Sequence, residues 1–136
     1  MRDMHNNIKV VQTHSGANVG TTGAANGTLS AAVDRKGFES VEFVYGRGVS
    51  AAATDTITPV VLEADATNGS FTSVAAADLL GSEGVLTGSA AASGKVGYVG
   101  NKRYLKLRLY GVGTATARVH AHALLGNAQV GAEVAF

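Results

Sequence analysis

Two short stretches carry the residues with the most chemical potential. In "RVHAHALLG", His120 and His122 sit two apart and project from one face of an extended strand. Two imidazoles so placed can reach one Zn²⁺ ion, which binds histidine nitrogen at about 2 Å. A third ligand would have to come from His5, His14 or a carboxylate, and none lies nearby in sequence. Packing beside a cationic neighbour strand is the competing reading of the pair, and the expectation is no metal site.

The second stretch is "GYVGNKRYLKLRLYG". Alternation sets Leu105, Leu107 and Leu109 on one face and Tyr104, Lys106, Arg108 and Tyr110 on the other. Two cations between two tyrosines suit a single-stranded nucleic acid, through phosphate contact and base stacking. They suit a protein interface equally, because tyrosine and arginine are enriched at hot spots. A solvated face with aliphatic stems lying over rings is the third reading. The net charge of +1 and the 15% of charged residues speak against a polyanion partner for the chain as a whole.

Catalysis finds little footing. There is no cysteine, hence no thiolate and no disulfide. No G-x-S-x-G elbow is present. "YGRGVSA" and "YVGNKRY" lack the spacing of a phosphate loop and open no helix. Glu63 and Asp65 flank a turn and read as a solvated hairpin edge. The expectation is a protein that is not an enzyme and needs no cofactor.

The elements that position these residues follow a period of two. Strands are expected over 8–12, 38–46, 55–64, 69–74, 104–111 and 115–126. Pro59 argues for an edge strand or a strand's beginning. Asn68-Gly69 marks a hairpin after the 55–64 strand, and "GVGTA" is expected to join the last two strands in the same way. Residues 74–84 lean helical for a turn or two. Residues 16–32 and 87–95 are rich in small residues and read as loops, or as arms that order on a partner.

The 136 residues are thus expected to form one domain, 1–136, with 1–32 partly an N-terminal strand plus a Gly/Ala-rich arm. The fold class is all-β: an antiparallel β-sandwich or small β-barrel with flexible Gly/Ala-rich loops. Val41, Phe43, Leu105, Leu107, Leu109, Val119 and Leu125 are the expected core, with Phe38 and Phe71 capping its ends. No run approaches the roughly 20 apolar residues of a membrane span, and no apolar signal-peptide region opens the chain, so a soluble, unexported protein is expected.

Four segments together, "MHNNIKVVQ", "GFESVEFVYGRG", "ITPVVLEADATNGSFTSVAAADLLG" and "GYVGNKRYLKLRLYGVGTATARVHAHALLGN", resemble small virion proteins of tailed bacteriophages, the capsid decoration or cement proteins. The resemblance covers about residues 4–127. The end "AQVGAEVAF" departs from the His/Pro-rich end many such sequences carry. The resemblance implies a structural protein without catalysis, bound to the outer surface of the head shell and made in the host cytoplasm. Its implied partners are the major capsid protein and sister copies in a homodimer or homotrimer, with no nucleic acid and no membrane. Arg47, Arg103, Tyr104, Lys106, Arg108 and Tyr110 are the expected contacts. A role at the head–tail junction or in the tail, or a single-strand nucleic-acid module using residues 103–110, are the alternatives.

Overall fold

A computed structural model describes residues 4–19, 27–50, 52–112 and 117–129; of Ala17, Asn18 and Ala117 only the backbone is described. Eleven strands lie among these residues: β1 (Lys9–Val19), β2 (Thr28–Leu29), β3 (Val33–Asp34), β4 (Phe38–Arg47), β5 (Thr56–Ala64), β6 (Thr72–Ser73), β7 (Leu79–Leu80), β8 (Leu86–Thr87), β9 (Ala92–Tyr98), β10 (Tyr104–Val112) and β11 (Ala117–Ala128). Every pairing is antiparallel, and the strands form two sheets packed as a sandwich. Sheet A has the order β1-β11-β4-β9-β7. In sheet B, β10 and β5 lie side by side between short flanking strands, β2 and β3 on one side, β6 and β8 on the other.

Alternation builds the core. Leu105, Leu107 and Leu109 of β10 point inward against Val41, Phe43 and Tyr45 of β4 and Val119, Ala121, Ala123 and Leu125 of β11. All seven residues expected in the core are buried. Each large aliphatic side chain so enclosed contributes about 1.5–3 kcal/mol. Phe38 is buried as expected, whereas Phe71 is half-buried beneath Lys106 on the outer side of sheet B and caps nothing.

Three expectations about these elements need correction. The link at 111–115 is not a hairpin, because β10 and β11 belong to different sheets; residues 113–116 lie outside the described part. The small-residue stretch 87–95 is not all loop, since Ala92 begins β9, which pairs with β4 along its length. Glycine and alanine there are accommodated by ladder bonds and by Tyr45, which packs against Gly94. β1 runs on to Val19, well past 12; of the arm expected over 16–32, residues 20–26 are outside the described part. The helical leaning of 74–84, expected for a turn or two, is met by one 3-10 turn at Ala76–Asp78.

Pro59 sits in an interior strand at a locally open place. On one side it faces Leu109. On the other, β8 pairs at Thr56 and Ile57 and β6 pairs at Leu62 and Glu63, so Pro59 falls in the gap between them. A missing ladder donor is tolerated there. The break between β2 and β3 is bridged similarly. The Leu107 amide donates to Ser30 Oγ at 3.0 Å, and the Ser30 amide donates to the Leu107 carbonyl at 2.9 Å.

The edge strand β1 carries two bulges against β11, between Gln12 and His14 and between Ser15 and Ala17. The second places Gly16 at φ 66°, a backbone conformation that glycine adopts without a Cβ clash. They turn the His14 side chain inward, where it is buried and its Nε2 donates to the Thr28 carbonyl at 3.0 Å. That bond ties the edge of sheet A to β2 of sheet B.

Candidate interaction face

The outer side of β10 presents four of the six expected site residues. Tyr104, Lys106, Arg108 and Tyr110 alternate with the buried leucines, and each is half-buried. Register adds neighbours that sequence reading did not identify. Arg108 lies between Leu29 of β2 and Val60 of β5. Lys106 lies opposite Leu62, and its Nζ stands 4.2 Å from the ring centroid of Phe71. Tyr110 lies opposite Thr58. The face is therefore an aromatic and aliphatic surface with two cations set in it. Leu29 is 42% exposed at its edge. The alternation of "TITPVVLEA" carried a signal for Val60, but nothing local in sequence places Leu29 beside Arg108 across 79 residues.

Arg103 belongs to the rim of this face and is already engaged. Its Nε donates to Asp34 Oδ1 at 2.9 Å and its second guanidinium nitrogen to Oδ2 at 2.7 Å. The guanidinium also lies 4.9 Å from the Tyr104 ring centroid. The bidentate bond holds the Asp34 carboxyl below its ordinary value, with partial burial opposing. The pair fixes β3 against β10 and orients Tyr104.

Arg47 is not on this face. It continues the inward row of Val41, Phe43 and Tyr45 and is 1% exposed. Its guanidinium donates to the carbonyls of Gly88, Ala90 (3.0 Å) and Asp55 (3.4 Å). Nε has no hydrogen-bond partner among the described residues. Nearby, the Asp55 carboxylate accepts from Ser50 Oγ and from the Ala52 amide at 3.2 Å. Arg47 is thus an internal staple for loops at one end of the sandwich, and its expected role as a surface contact is corrected accordingly.

His120 and His122 project from the outer side of sheet A, on the opposite side of the molecule from Lys106 and Arg108. His120 lies over Gly46, where a Cβ would fall 2.7 Å from its Nε2. Among the described residues no group of three His, Cys, Asp or Glu side chains is arranged to hold a metal ion. No helix among them is long and apolar enough to cross a membrane.

No family model matches the chain, and no curated protein sequence matches it. Among solved structures it is similar to the CBM22-1–GH10 modules of Clostridium thermocellum xylanase 10B, crystallised with xylohexaose, at 11% identity and a TM-score of 0.50. That similarity covers 96% of this chain and 30% of the other. The structure of Eiger TNF from S. frugiperda is matched at 12% identity and a TM-score of 0.35, over 93% of this chain and 96% of the other. At these identities the likeness to the first is one of fold.

Proposed function

We propose that this chain is a structural protein of a tailed-bacteriophage virion, a decoration protein that sits on the outer surface of the head shell and stabilises contacts between capsomers. The observation that carries the reading is the outer face of β10, where Tyr104, Lys106, Arg108 and Tyr110 stand on a sheet whose inner face is leucine. A half-buried surface of tyrosine, arginine and aliphatic groups has the composition of a protein-binding patch. The sandwich beneath it is a rigid platform, which keeps the ordering cost of docking small. In this reading the partners are the major capsid protein and sister copies, and no catalytic step or cofactor takes part.

The test is retention on particles. Purified particles carrying Arg108→Ala protein are heated, and the copies remaining are counted. The expected result is loss of most copies at a temperature that wild type withstands, since truncating a central interface arginine costs about 2 kcal/mol or more. Full retention with unchanged shell melting would overturn the assignment. Labelling that finds the protein only at the head–tail junction or on the tail would move the same face to a different virion site. Tight, steeply salt-dependent binding to single-stranded oligonucleotides would favour the nucleic-acid reading instead.

A further inference from the structure

Across the outer side of sheet A, register sets one residue from each of five strands in a line: Val10, Leu124, Glu42, Gly97 and Leu80. Val10 and Leu80, at its two ends, are 55% and 58% exposed. Over the middle of this line, at Leu124, Glu42 and Leu80, lies a groove of about 210 Å³, lined also by Ile8, Val99 and Glu39. Gly97 makes room for the Glu42 and Leu80 side chains to meet. A Cβ there would fall 2.7 Å from Glu42 Oε2 and 2.9 Å from Leu80 Cβ. Neither glutamate takes part in the two ion pairs found among the described residues, Lys102–Asp65 and Arg103–Asp34. The groove is thus apolar with negative charge at its centre, and Lys95, on the same outer face opposite Val44, stands outside its lining. Its complement is apolar with positive charge at its centre.

Such a complement exists on the same molecule. The outer face of β10 sets Lys106 and Arg108 among Tyr104, Tyr110 and the half-exposed Leu29. It lies on the opposite side of the sandwich from the groove. We propose that the β10 face of one copy docks on the sheet A groove of a second copy, with Lys106 and Arg108 against Glu42 and Glu39. The contact is heterologous, because a twofold axis would bring glutamate to glutamate or cation to cation. Since the two faces point in opposite directions, repetition extends an open stack and does not close a dimer. The net charge of +1 imposes little overall repulsion on such a stack. This inference rests on the reading of the β10 face as a protein interface and does not depend on the virion assignment.

The experiment is sedimentation velocity of the purified full chain over a range of concentrations, with no particles present. Wild type is expected to gain mass with concentration past the dimer, and to associate about tenfold or more weakly at high salt. Glu42→Lys and Lys106→Glu are each expected to stay monomeric while melting like wild type. Mixed in equal amounts, they are expected to associate again, because each contact then joins opposite charges. If either variant melts early, Glu42→Gln and Lys106→Gln replace the pair, and each is expected to weaken association. Wild type that stays monomeric at every concentration, or stops at a dimer, overturns the proposal. So does a mixture of charge-reversed variants that remains monomeric. A monomeric wild type whose Arg108→Ala form is still lost from heated particles would sink the stack alone and leave the interface reading standing.

Discussion

The Tyr98 hydroxyl of sheet A donates to Glu63 Oε2 of sheet B at 2.5 Å and accepts from the Lys102 amide at 3.0 Å, latching one end of the sandwich. Arg35 covers the ring from outside, 5.3 Å from its centroid. Burial, and then the Glu63 bond, push the Tyr98 pKa up to about 12. The folded state therefore holds this proton more tightly than the unfolded chain, whose tyrosine titrates near 10. Stability from this group is complete below pH 10 and is lost as pH rises through about 12. Chemical denaturation between pH 9 and 12 is expected to show that fall in wild type and to show less of it in Tyr98→Phe. At neutral pH the same variant is expected to be about 1–3 kcal/mol less stable, because Glu63 and the Lys102 amide lose their partner.

The opposite sign holds for His14. Burial lowers its pKa below the usual 6.5, with the bond to Thr28 opposing. Its contribution is present above pH 6.5 and is lost as pH falls through the folded-state value. Urea midpoints at pH 7.5 and pH 5 are expected to differ in wild type, and that difference is expected to shrink in His14→Gln.

Arg47→Ala is expected to destabilise the fold by about 3 kcal/mol or more, since three carbonyl acceptors and a large buried volume lose their partner together. Arg47→Lys is also expected to be destabilising, because a single ammonium does not span carbonyls placed for a planar fork. Urea titration of both variants checks this. Equality with wild type would show that the loops hold without the staple.

Leu107→Ala is expected to cost about 2–5 kcal/mol by opening a cavity between the sheets. Thermal melting is the measurement. A cost well under this range would mean that the surrounding leucines and Val61 collapse into the space.

Parity along single strands was legible, and it located the inner face of β10 residue by residue. The same rule applied four residues beyond Phe43 puts Arg47 inward beside Val41, Phe43 and Tyr45. An arginine's charge argues for the surface, but here the inward position prevails because the carbonyls of Asp55, Gly88 and Ala90 receive the guanidinium. What single strands do not encode is which strand lies next to which. The turn chemistry of "GVGTA" fits a hairpin, yet β10 and β11 cross to different sheets because each already has strands on both sides. The Leu80–Gly97–Glu42–Leu124 line was hidden for the same reason, since its members come from four separate strands and meet only through register. The start of β9 was hidden by composition, because "AASG" earns its place in the sheet from ladder bonds to β4 and not from β-propensity.

The paired bulges of β1 bear on a hazard that grows with crowding. An eleven-residue strand at a sheet margin offers a row of spare amide and carbonyl groups to any identical molecule alongside. Two extra residues in quick succession spoil the even hydrogen-bond spacing that a straight rival strand would require. A protein packed side by side in great number would by this means keep its copies from zipping together into fibrils.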